Sequence, residues 1–370
     1  MIADLVRQTS LADIYDKVKV GTRLSYEEGL RLYESSDLHT LGFMANIVRE
    51  RINGDKTYFV RNQHINYTNI CNKFCKFCAF YALPGQERAY SMTPEEIQKK
   101  VLEQIEQPIT EIHMVAGINP RLPYSYYLDI LRAVKAVRPD VHIKAYTMVE
   151  IEQMHKLAKK PLAEVYADLK AAGLDSLPGG GAEVFAERVH QELYPLKIGG
   201  DRWVELMEAA HQAGLKSNCT MLYGHIERAE EKVDHLIRLR ELQDRTGGFL
   251  AFIPLAFHPD NSDMADLPGT TGFSDLKQIA IARLMLDNIP HIKAYWIMIT
   301  PQISQVALWY GADDIDGTVI EEKIYHDAGA QTPQSLTRNA LAHLIREAGR
   351  EPLERDNVYN LINRDYPMSE

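Results

Sequence analysis

The sequence predicts an α/β fold, namely a TIM-type (β/α)8 barrel with an N-terminal helical cap and a C-terminal helical extension. From residue 59 onward, strand-like stretches alternate with amphipathic helices, which is the pattern of a parallel sheet with crossover helices. Eight strand-like stretches can be counted, and that number favours a closed barrel over an open doubly wound sheet. Before and after this region, apolar side chains recur near helical spacing. The predicted domains are a helical segment at 1–58, the barrel at 59–324 and a helical extension at 325–370.

The composition is that of a globular protein that acts on a small molecule. Hydrophobic residues make up 45% and charged residues 25% of the 370 positions, which is enough for a substantial core. No apolar run approaches twenty residues and the N-terminus shows no signal-peptide pattern, so we expect a cytoplasmic protein that does not enter a membrane. The formal net charge of −10 disfavours nucleic-acid binding. The expected partner is a small-molecule substrate, and the oligomeric state is left open.

The first 58 residues are predicted to be helical. Ser25-x-x-Glu28 has the form of a capping box at the start of a helix, and the region has no cysteine, glycine-rich loop or clustered set of ligands. We interpret it as a cap over the barrel without a catalytic role. Beyond the first strand, a second capping box at Thr93 and Glu96, with Pro94 at the first helical position, predicts another helix.

The cysteines point to a metal centre. Three of the four, Cys71, Cys75 and Cys78, follow the predicted first strand at 58–70 with the spacing C-x3-C-x2-C. This spacing lets three thiolates converge on one object from a single loop. A four-iron cluster normally takes four protein thiolates, so three would leave one iron open to a small molecule. Unliganded core cysteines and structural zinc are the alternatives, but zinc prefers four protein ligands and the sequence has no second pair.

This loop, with the aromatic Phe77 directly before its last cysteine, resembles the cluster loop of the radical S-adenosylmethionine superfamily. The resemblance implies that Cys71, Cys75 and Cys78 hold a [4Fe–4S] cluster, whose open iron binds the amino and carboxylate groups of S-adenosyl-L-methionine. It also implies that an electron from an external donor passes through the cluster and cleaves the cofactor to a 5′-deoxyadenosyl radical. Phe77 is expected to contact the cofactor.

The remaining strands and helices alternate along the chain. Helices are expected between the strands, for example at 203–214, 232–245 and 275–288. The reactive groups of a barrel lie at the carboxyl ends of its strands and in the loops that follow, so polar residues there are the candidates for the site. The later strands are predicted at 109–117, 141–148, 175–183, 217–227, 249–259, 292–300 and 314–322.

Two strand ends resemble cofactor-binding positions of the superfamily. The second strand ends in Ala116-Gly117-Ile118, where the superfamily usually has Gly-Gly-Glu or a variant that lets the backbone approach the methionine amino group. A simple tight turn is the alternative. Glu150, after the third strand, could accept hydrogen bonds from ribose hydroxyls, or it could be a helix-start glutamate favoured by the helix dipole. Ile253, in the sixth strand, completes the expected cofactor-binding residues.

Histidines follow two strands, His225 after the fifth and His258 after the sixth. A histidine can hold a carboxylate when charged or move a proton when neutral, although a single one is more often structural. We predict His64, in the first strand, and these two histidines as catalytic residues.

Other polar or small residues are candidates for binding the substrate. Three lie in the first strand, where alternate side chains share one face. Two belong to a run of three glycines, which permits close backbone approach to a ligand but can also simply form a turn. One is a cationic side chain before the seventh strand. The predicted substrate-binding residues are Arg61, Asn66, Thr68, Gly180, Gly181 and Arg283.

The segments at the strand ends, among them DSLPGGGAE (175–183), TMLYGHIE (220–227) and GADDIDGTVIEEKI (311–324), resemble the aminofutalosine synthase family of menaquinone biosynthesis. The resemblance spans about residues 59–330. It implies that the adenosyl radical adds to the enol ether double bond of 3-[(1-carboxyvinyl)oxy]benzoate and that 6-amino-6-deoxyfutalosine forms with loss of a carboxyl group.

Two alternatives remain open at this point. The stretch Asn66-Tyr67-Thr68-Asn69 resembles the dehypoxanthine futalosine cyclases of the same pathway as much as the synthases. The stretches Pro178–Gly181 and Leu255–His258 favour the synthase instead. A non-catalytic metal-binding module is the alternative from a different class.

Overall fold

Two parallel sheets make up the β-structure of the computed structural model, which describes residues 2–362 of the chain. The strands are β1 (Lys56–Val60), β2 (Asn62–Ile65), β3 (Glu111–Met114), β4 (His142–Ala145), β5 (Ser176–Leu177), β6 (Lys216–Tyr223), β7 (Phe249–Ala256), β8 (His291–Ile292), β9 (Asp314–Gly317) and β10 (Glu351–Arg355). Strands β2 to β8 lie side by side in chain order as the barrel wall. The other three form a sheet in the order β10-β1-β9.

β9 closes the barrel between β8 and β2. Asp314 forms a parallel bridge with Lys293, just beyond β8, and Ile320, just beyond β9, forms one with Gln63 of β2. The backbone N–H of His64 donates to the carbonyl of Ile320 at 2.8 Å, which ties the same two strands together. The predicted eight-stranded barrel is therefore confirmed.

Helices surround the barrel and precede it in the chain. Among residues 2–362, no helix combines the length and the apolar composition that a bilayer span requires. The helices are α1 (Ile2–Val6), α2 (Ala12–Val20), α3 (Tyr26–Glu34), α4 (Leu38–Asn53), α5 (Pro94–Leu102), α6 (Tyr124–Val137), α7 (Met148–Ala158), α8 (Leu162–Ala172), α9 (Glu187–Leu193), α10 (Gly200–Gln212), α11 (Ala229–Thr246), α12 (Gly272–Met285), α13 (Trp296–Ala307), α14 (Ile324–Asp327) and α15 (Arg338–Glu347).

Both predicted capping boxes are confirmed. At the start of α3 the Ser25 side chain accepts from the backbone N–H of Glu28, whose carboxylate accepts from the backbone N–H of Ser25. Thr93 and Glu96 make the same reciprocal pair at α5. Each pair satisfies donors that a helix start leaves open, which is why these two boundaries could be predicted locally.

The N-terminal helices cover the outer wall of the barrel instead of its mouth. α3 packs against α11 and α12, and α4 packs against α12. The Tyr33 hydroxyl of α3 donates to the Gln278 side chain of α12 at 3.0 Å. The N-terminal segment therefore supports the barrel from the side.

Three sequence expectations need correction. The predicted first strand divides at Arg61 into β1 and β2, which belong to different sheets. The stretch 292–300 is mostly helix, because β8 ends at Ile292 and α13 begins at Trp296. A short apolar run cannot distinguish a buried strand from a buried helix. The region 325–370 is not helical throughout, since β10 pairs in register with β1, and residues 363–370 lie outside the described residues.

A buried ion pair holds the amino-terminal end of the barrel together. The Arg283 guanidinium of α12 donates to Asp313, which precedes β9, at 3.0 Å, and both side chains are fully buried. Asp313 also accepts from the His291 ring at 2.5 Å. Arg283 further donates to the carbonyl oxygens of Gly311 and Ile289. All of these contacts of Arg283 lie within the barrel scaffold, so its role is structural.

We expect Arg283→Met to lower the free energy of unfolding by about 3–5 kcal/mol, because Asp313 would lose a buried cationic partner. Arg245→Met is the matched control, since Arg245 pairs with Glu208 on the surface and should change stability by about 1 kcal/mol or less. Urea unfolding measures both. Equal effects of the two substitutions would contradict the assigned role of Arg283.

Candidate active site

A cavity of about 290 Å³ lies at the carboxyl ends of the barrel strands. Every barrel strand, or the loop that follows it, contributes to its wall. In barrels of this type the carboxyl ends of the strands carry the functional groups. One contributor from each strand, in the order β2 to β9, is Cys71, Gly117, Thr147, Gly181, Leu222, His258, Tyr295 and Asp316.

The three clustered cysteines line this cavity, whereas Cys219 is buried within β6. Two backbone hydrogen bonds to neighbouring elements hold the loop that carries them. The backbone N–H of Asn72 donates to the carbonyl of Ile118, after β3, at 3.1 Å. The backbone N–H of Lys76 donates to the carbonyl of Leu193, in α9, at 2.9 Å. The thiols are therefore presented by a loop whose position two neighbouring elements determine.

Gly117 makes the close approach of this loop to β3 possible. Its backbone N–H donates to the carbonyl of Thr68 at 2.9 Å. A Cβ atom at this position would lie 2.5 Å from the backbone oxygen of Ile70, which directly precedes Cys71. Any larger residue would have to displace backbone, because no flexible side chain is available to move away.

The environment of the thiols fits a multi-iron cluster. Burial raises the pKa of the Cys75 thiol to about 12, although the nearby Lys197 ammonium opposes the shift, and burial also raises the pKa of Cys78. Thiolates here therefore need a bound cation. In the described residues, no three His, Cys, Asp or Glu side chains are close enough to hold a single metal ion. An iron–sulfur cluster takes its thiolates on different irons, so thiols spread around one cavity suit it.

Phe77 lines the cavity beside a buried ion pair that sequence reasoning missed. Its ring packs edge-on against Tyr194, with centroids 6.0 Å apart, and the Lys197 ammonium lies 5.5 Å from its centroid. Lys197 is paired with Glu183, and both side chains line the cavity. Glu183 ends the glycine-rich stretch that the sequence analysis singled out, but nothing local marks Lys197 as its partner.

Four of the five other expected cofactor-binding residues line the cavity, namely Ala116, Gly117, Ile118 and Ile253. Glu150 does not. Its carboxylate accepts from the Tyr67 hydroxyl at 2.5 Å and from the backbone N–H of Thr147, with which it forms a capping box. Burial raises the pKa of Glu150 to about 7. The helix-start interpretation of Glu150 is confirmed, and its geometry does not support contact with a ribose.

The cavity wall also brings together five of the expected catalytic and substrate-binding residues, namely His64, Asn66, Gly180, Gly181 and His258. His258 donates from Nε2 to the carbonyl oxygen of Met298 at 2.8 Å, which fixes the orientation of its ring.

His225 and Thr68 lie outside this wall. Both ring nitrogens of His225 are used locally, since Nε2 donates to the carbonyl of Leu222 at 3.0 Å and Nδ1 accepts from the N–H of Ile226 at 2.8 Å. The Thr68 hydroxyl donates to the carbonyl of Tyr90 at 2.7 Å. Both side chains therefore hold loops in place, and the expected catalytic role of His225 has no geometric support.

Arg61 and Arg283 lie at the opposite end of the barrel. The carbonyl of Arg61 accepts from the N–H of Glu111, at the start of β3, and its guanidinium lies 3.5 Å from Glu354 in β10. Arg283 is held by Asp313. The predicted elements located both residues in the chain but could not show at which end of the barrel their side chains lie. Neither position supports the expected contact with substrate.

A polar floor that the sequence analysis did not predict lies deeper in the cavity. His113 of β3 and Lys144 of β4 line it beside His64. The His64 and His113 rings are stacked, with centroids 4.5 Å apart and planes 13° from parallel. Lys144 is paired with Glu111 at 2.6 Å. The available signal was a polar residue between two apolar neighbours in each of the two strands.

Comparison with known proteins shows relatives along the whole chain. The profile of the radical SAM superfamily matches residues 65–240, and that of the CofH/MqnC C-terminal region matches residues 246–368. The aminodeoxyfutalosine synthase of Thermus thermophilus is 50% identical over 96% of this chain and 97% of its own, and that of Streptomyces coelicolor is 44% identical over 96% and 94%. The cyclic dehypoxanthine futalosine synthase of Halalkalibacterium halodurans is 37% identical over 95% of each.

Solved structures show the same fold. Methylornithine synthase superposes with a TM-score of 0.72 at 17% sequence identity, over 91% of this chain and 96% of that protein. At this level of identity the likeness concerns the fold alone.

We expect Gly117→Ala to impair the binding of iron, because the added methyl group would push the backbone at Ile70 and move Cys71. The iron content per chain after anaerobic reconstitution should fall to less than half. Gly199→Ala is the control, since a Cβ there meets nothing closer than 3.7 Å. Full iron loading of the Gly117→Ala protein would show that the contact with β3 does not position the loop.

Proposed function

We propose that this chain, which belongs to the radical S-adenosylmethionine superfamily and within it to the family of the aminodeoxyfutalosine synthases, is itself such a synthase. It adds the 5′-deoxyadenosyl group to the enol ether double bond of 3-[(1-carboxyvinyl)oxy]benzoate and forms 6-amino-6-deoxyfutalosine with loss of a carboxyl group, a step of menaquinone biosynthesis. The observation that carries the proposal is 50% identity to a synthase over nearly the entire chain, together with three cysteines on one barrel cavity.

Cys71, Cys75 and Cys78 would hold the [4Fe–4S] cluster. When bound, the cluster supplies an electron and an open iron for S-adenosyl-L-methionine, whose cleavage yields the 5′-deoxyadenosyl radical. The backbone around Gly117 can approach the methionine part of this cofactor, since no side chain intervenes. Phe77 offers an apolar surface at the same wall.

The substrate carries two carboxylates, so its site needs cationic or hydrogen-bonding groups. His64 faces the cavity and can donate a hydrogen bond to one of them. His258 and Asn66 also face the cavity, where His258 Nδ1 and Asn66 Oδ1 can accept hydrogen bonds from other groups of the ligands. Gly180 and Gly181 let the substrate pass close to the backbone. Apolar residues make up most of the remaining wall, which restricts water and stray hydrogen donors during the reaction of a radical.

An external donor delivers the electron. We expect the donor to dock near the cysteine loop, because Phe74 in that loop is 46% exposed. The enzyme would act in the cytoplasm, whose reducing environment keeps cysteines out of disulfides and available to a cluster.

The second candidate is the cyclase of the same pathway, which the 37% identical relative favours. The two enzymes differ in the fate of the adenosyl group. A synthase incorporates it into the product, whereas a cyclase releases it as 5′-deoxyadenosine.

The deciding experiment incubates the reconstituted protein anaerobically with a strong reductant, S-adenosyl-L-methionine and 3-[(1-carboxyvinyl)oxy]benzoate. We expect the adenosyl adduct and methionine in equal amounts by mass spectrometry. Cyclisation of dehypoxanthine futalosine with release of 5′-deoxyadenosine would identify the cyclase instead. A protein that binds metal but turns over neither substrate would be a non-catalytic module.

Replacing Cys71, Cys75 or Cys78 with serine should reduce adduct formation by at least a thousandfold, because the cluster would lose one of its three protein ligands. Cys219→Ser serves as the control, since Cys219 lies outside the cavity and should retain most of the activity. The rate of adduct formation and the iron content are measured together. Full activity in any of the three cluster variants would show that the metal site has been misplaced.

A further inference from the structure

Three polar side chains form a row across the floor of the cavity. His64, His113 and Lys144 occupy matched positions on β2, β3 and β4, because His64 pairs in register with His113 and His113 with Lys144. All three line the cavity. Adjacent parallel strands lie about 4.8 Å apart, so a single charged group of a ligand can reach two of these side chains at once.

The middle member of the row has open hydrogen-bonding capacity. No hydrogen bond within residues 2–362 involves the ring nitrogens of His113, whose contact to a neighbouring side chain is the stacking with His64. The ring is half-buried and faces the cavity, so its nitrogens are available to a bound ligand.

A second open group lies on the same wall. The Asn66 side chain donates from Nδ2 to the carbonyl of Val115 at 2.9 Å, which fixes the amide orientation. Its Oδ1 is buried and has no partner in the described structure. This oxygen can only accept, so it suits a hydrogen-bond donor of a bound ligand and not a carboxylate.

His113 supplies a hydrogen-bond donor without a charge. Burial, the stacked His64 ring and the Lys144 ammonium hold the pKa of His113 well below its ordinary value, against the opposing Asp316 carboxylate. The neutral ring can donate one N–H without a proton being taken up. Lys144 adds a cation whose counter-ion is Glu111, and Lys293 is paired with Asp316.

We propose that His113, flanked by His64 and Lys144, binds the ring carboxylate of the benzoate substrate and thereby determines specificity for it. This rests on the proposed function. His113 precedes Ala116 by three residues, which is roughly 10 Å along a strand. The row therefore lies below the level at which Gly117 and the cysteine loop approach the cofactor. The enol ether of the substrate must face the cofactor. The carboxylate on the benzene ring then points away from the cofactor, toward the floor.

The test compares binding of three compounds to the reconstituted holoenzyme with S-adenosyl-L-methionine and without reductant, by anaerobic calorimetry. The compounds are the substrate, 2-phenoxyacrylate, which lacks the ring carboxylate, and 3-(vinyloxy)benzoate, which lacks the other one. We expect the wild type to prefer the substrate over 2-phenoxyacrylate. His113→Leu should reduce this preference by about ten- to hundredfold. It should leave the preference over 3-(vinyloxy)benzoate unchanged.

His113→Gln should restore part of the preference, since its amide can donate to a carboxylate. If the leucine protein does not fold, the test is whether the preference of the glutamine protein lies below that of the wild type while its preference over 3-(vinyloxy)benzoate is unchanged. His142→Leu is the matched control, because His142 lies in the neighbouring strand β4 and its ring bonds to Ser176, away from the cavity wall. Its binding preferences should match those of the wild type.

Two results would overturn the proposal. His113→Leu could weaken the substrate and 2-phenoxyacrylate equally, which would mean a packing role only. His113→Leu could instead abolish the preference for the substrate over 3-(vinyloxy)benzoate. That result would place the carboxylate of the enol ether at the floor. Failure of the proposed function is seen separately, as a wild-type protein that forms no adenosyl adduct.

Discussion

The parallel alignment of β2 with β3 is the constraint on which the site depends. It determines which residues lie side by side at two heights in the barrel. At the upper level the loop after β2 meets the backbone at Gly117, where only a hydrogen atom fits beside Ile70. At the lower level it puts His64 directly beside His113. A shift of one residue in this register would turn alternate side chains out of the barrel and separate the thiols from the polar floor.

The two ends of the barrel use charge for different purposes. At the amino-terminal end Arg283 and Asp313 pair with each other and with the surrounding backbone, so their charges serve the scaffold. At the carboxyl-terminal end His113 and Asn66 keep open hydrogen-bonding capacity. Such open groups cost stability in the absence of a ligand, and an interaction with substrate can offset that cost.

Local patterns predicted much of this molecule. The spacing of Cys71, Cys75 and Cys78 depends only on adjacent residues, and the alternation of strands and helices predicted the barrel. The capping boxes were predictable for the same reason. The register of the strands, and the end of the barrel at which a side chain lies, were not predictable, because they depend on partners far away in the chain. Sequence reasoning therefore assigned Arg61 and Arg283 to the site and missed His113 and Lys144, whose shared level appears only when β3 and β4 are aligned.

The pairing of β1 with β10 has a consequence for how the chain reaches its fold. Lys56 is in register with Glu351, so the second sheet joins segments that lie far apart in the sequence. During synthesis β1 emerges long before its partner strand β10. Contacts of such long sequence separation form slowly, and an unpaired strand edge is prone to aggregate in the interval. One edge of β1 therefore stays without its partner strand until β10 has left the ribosome.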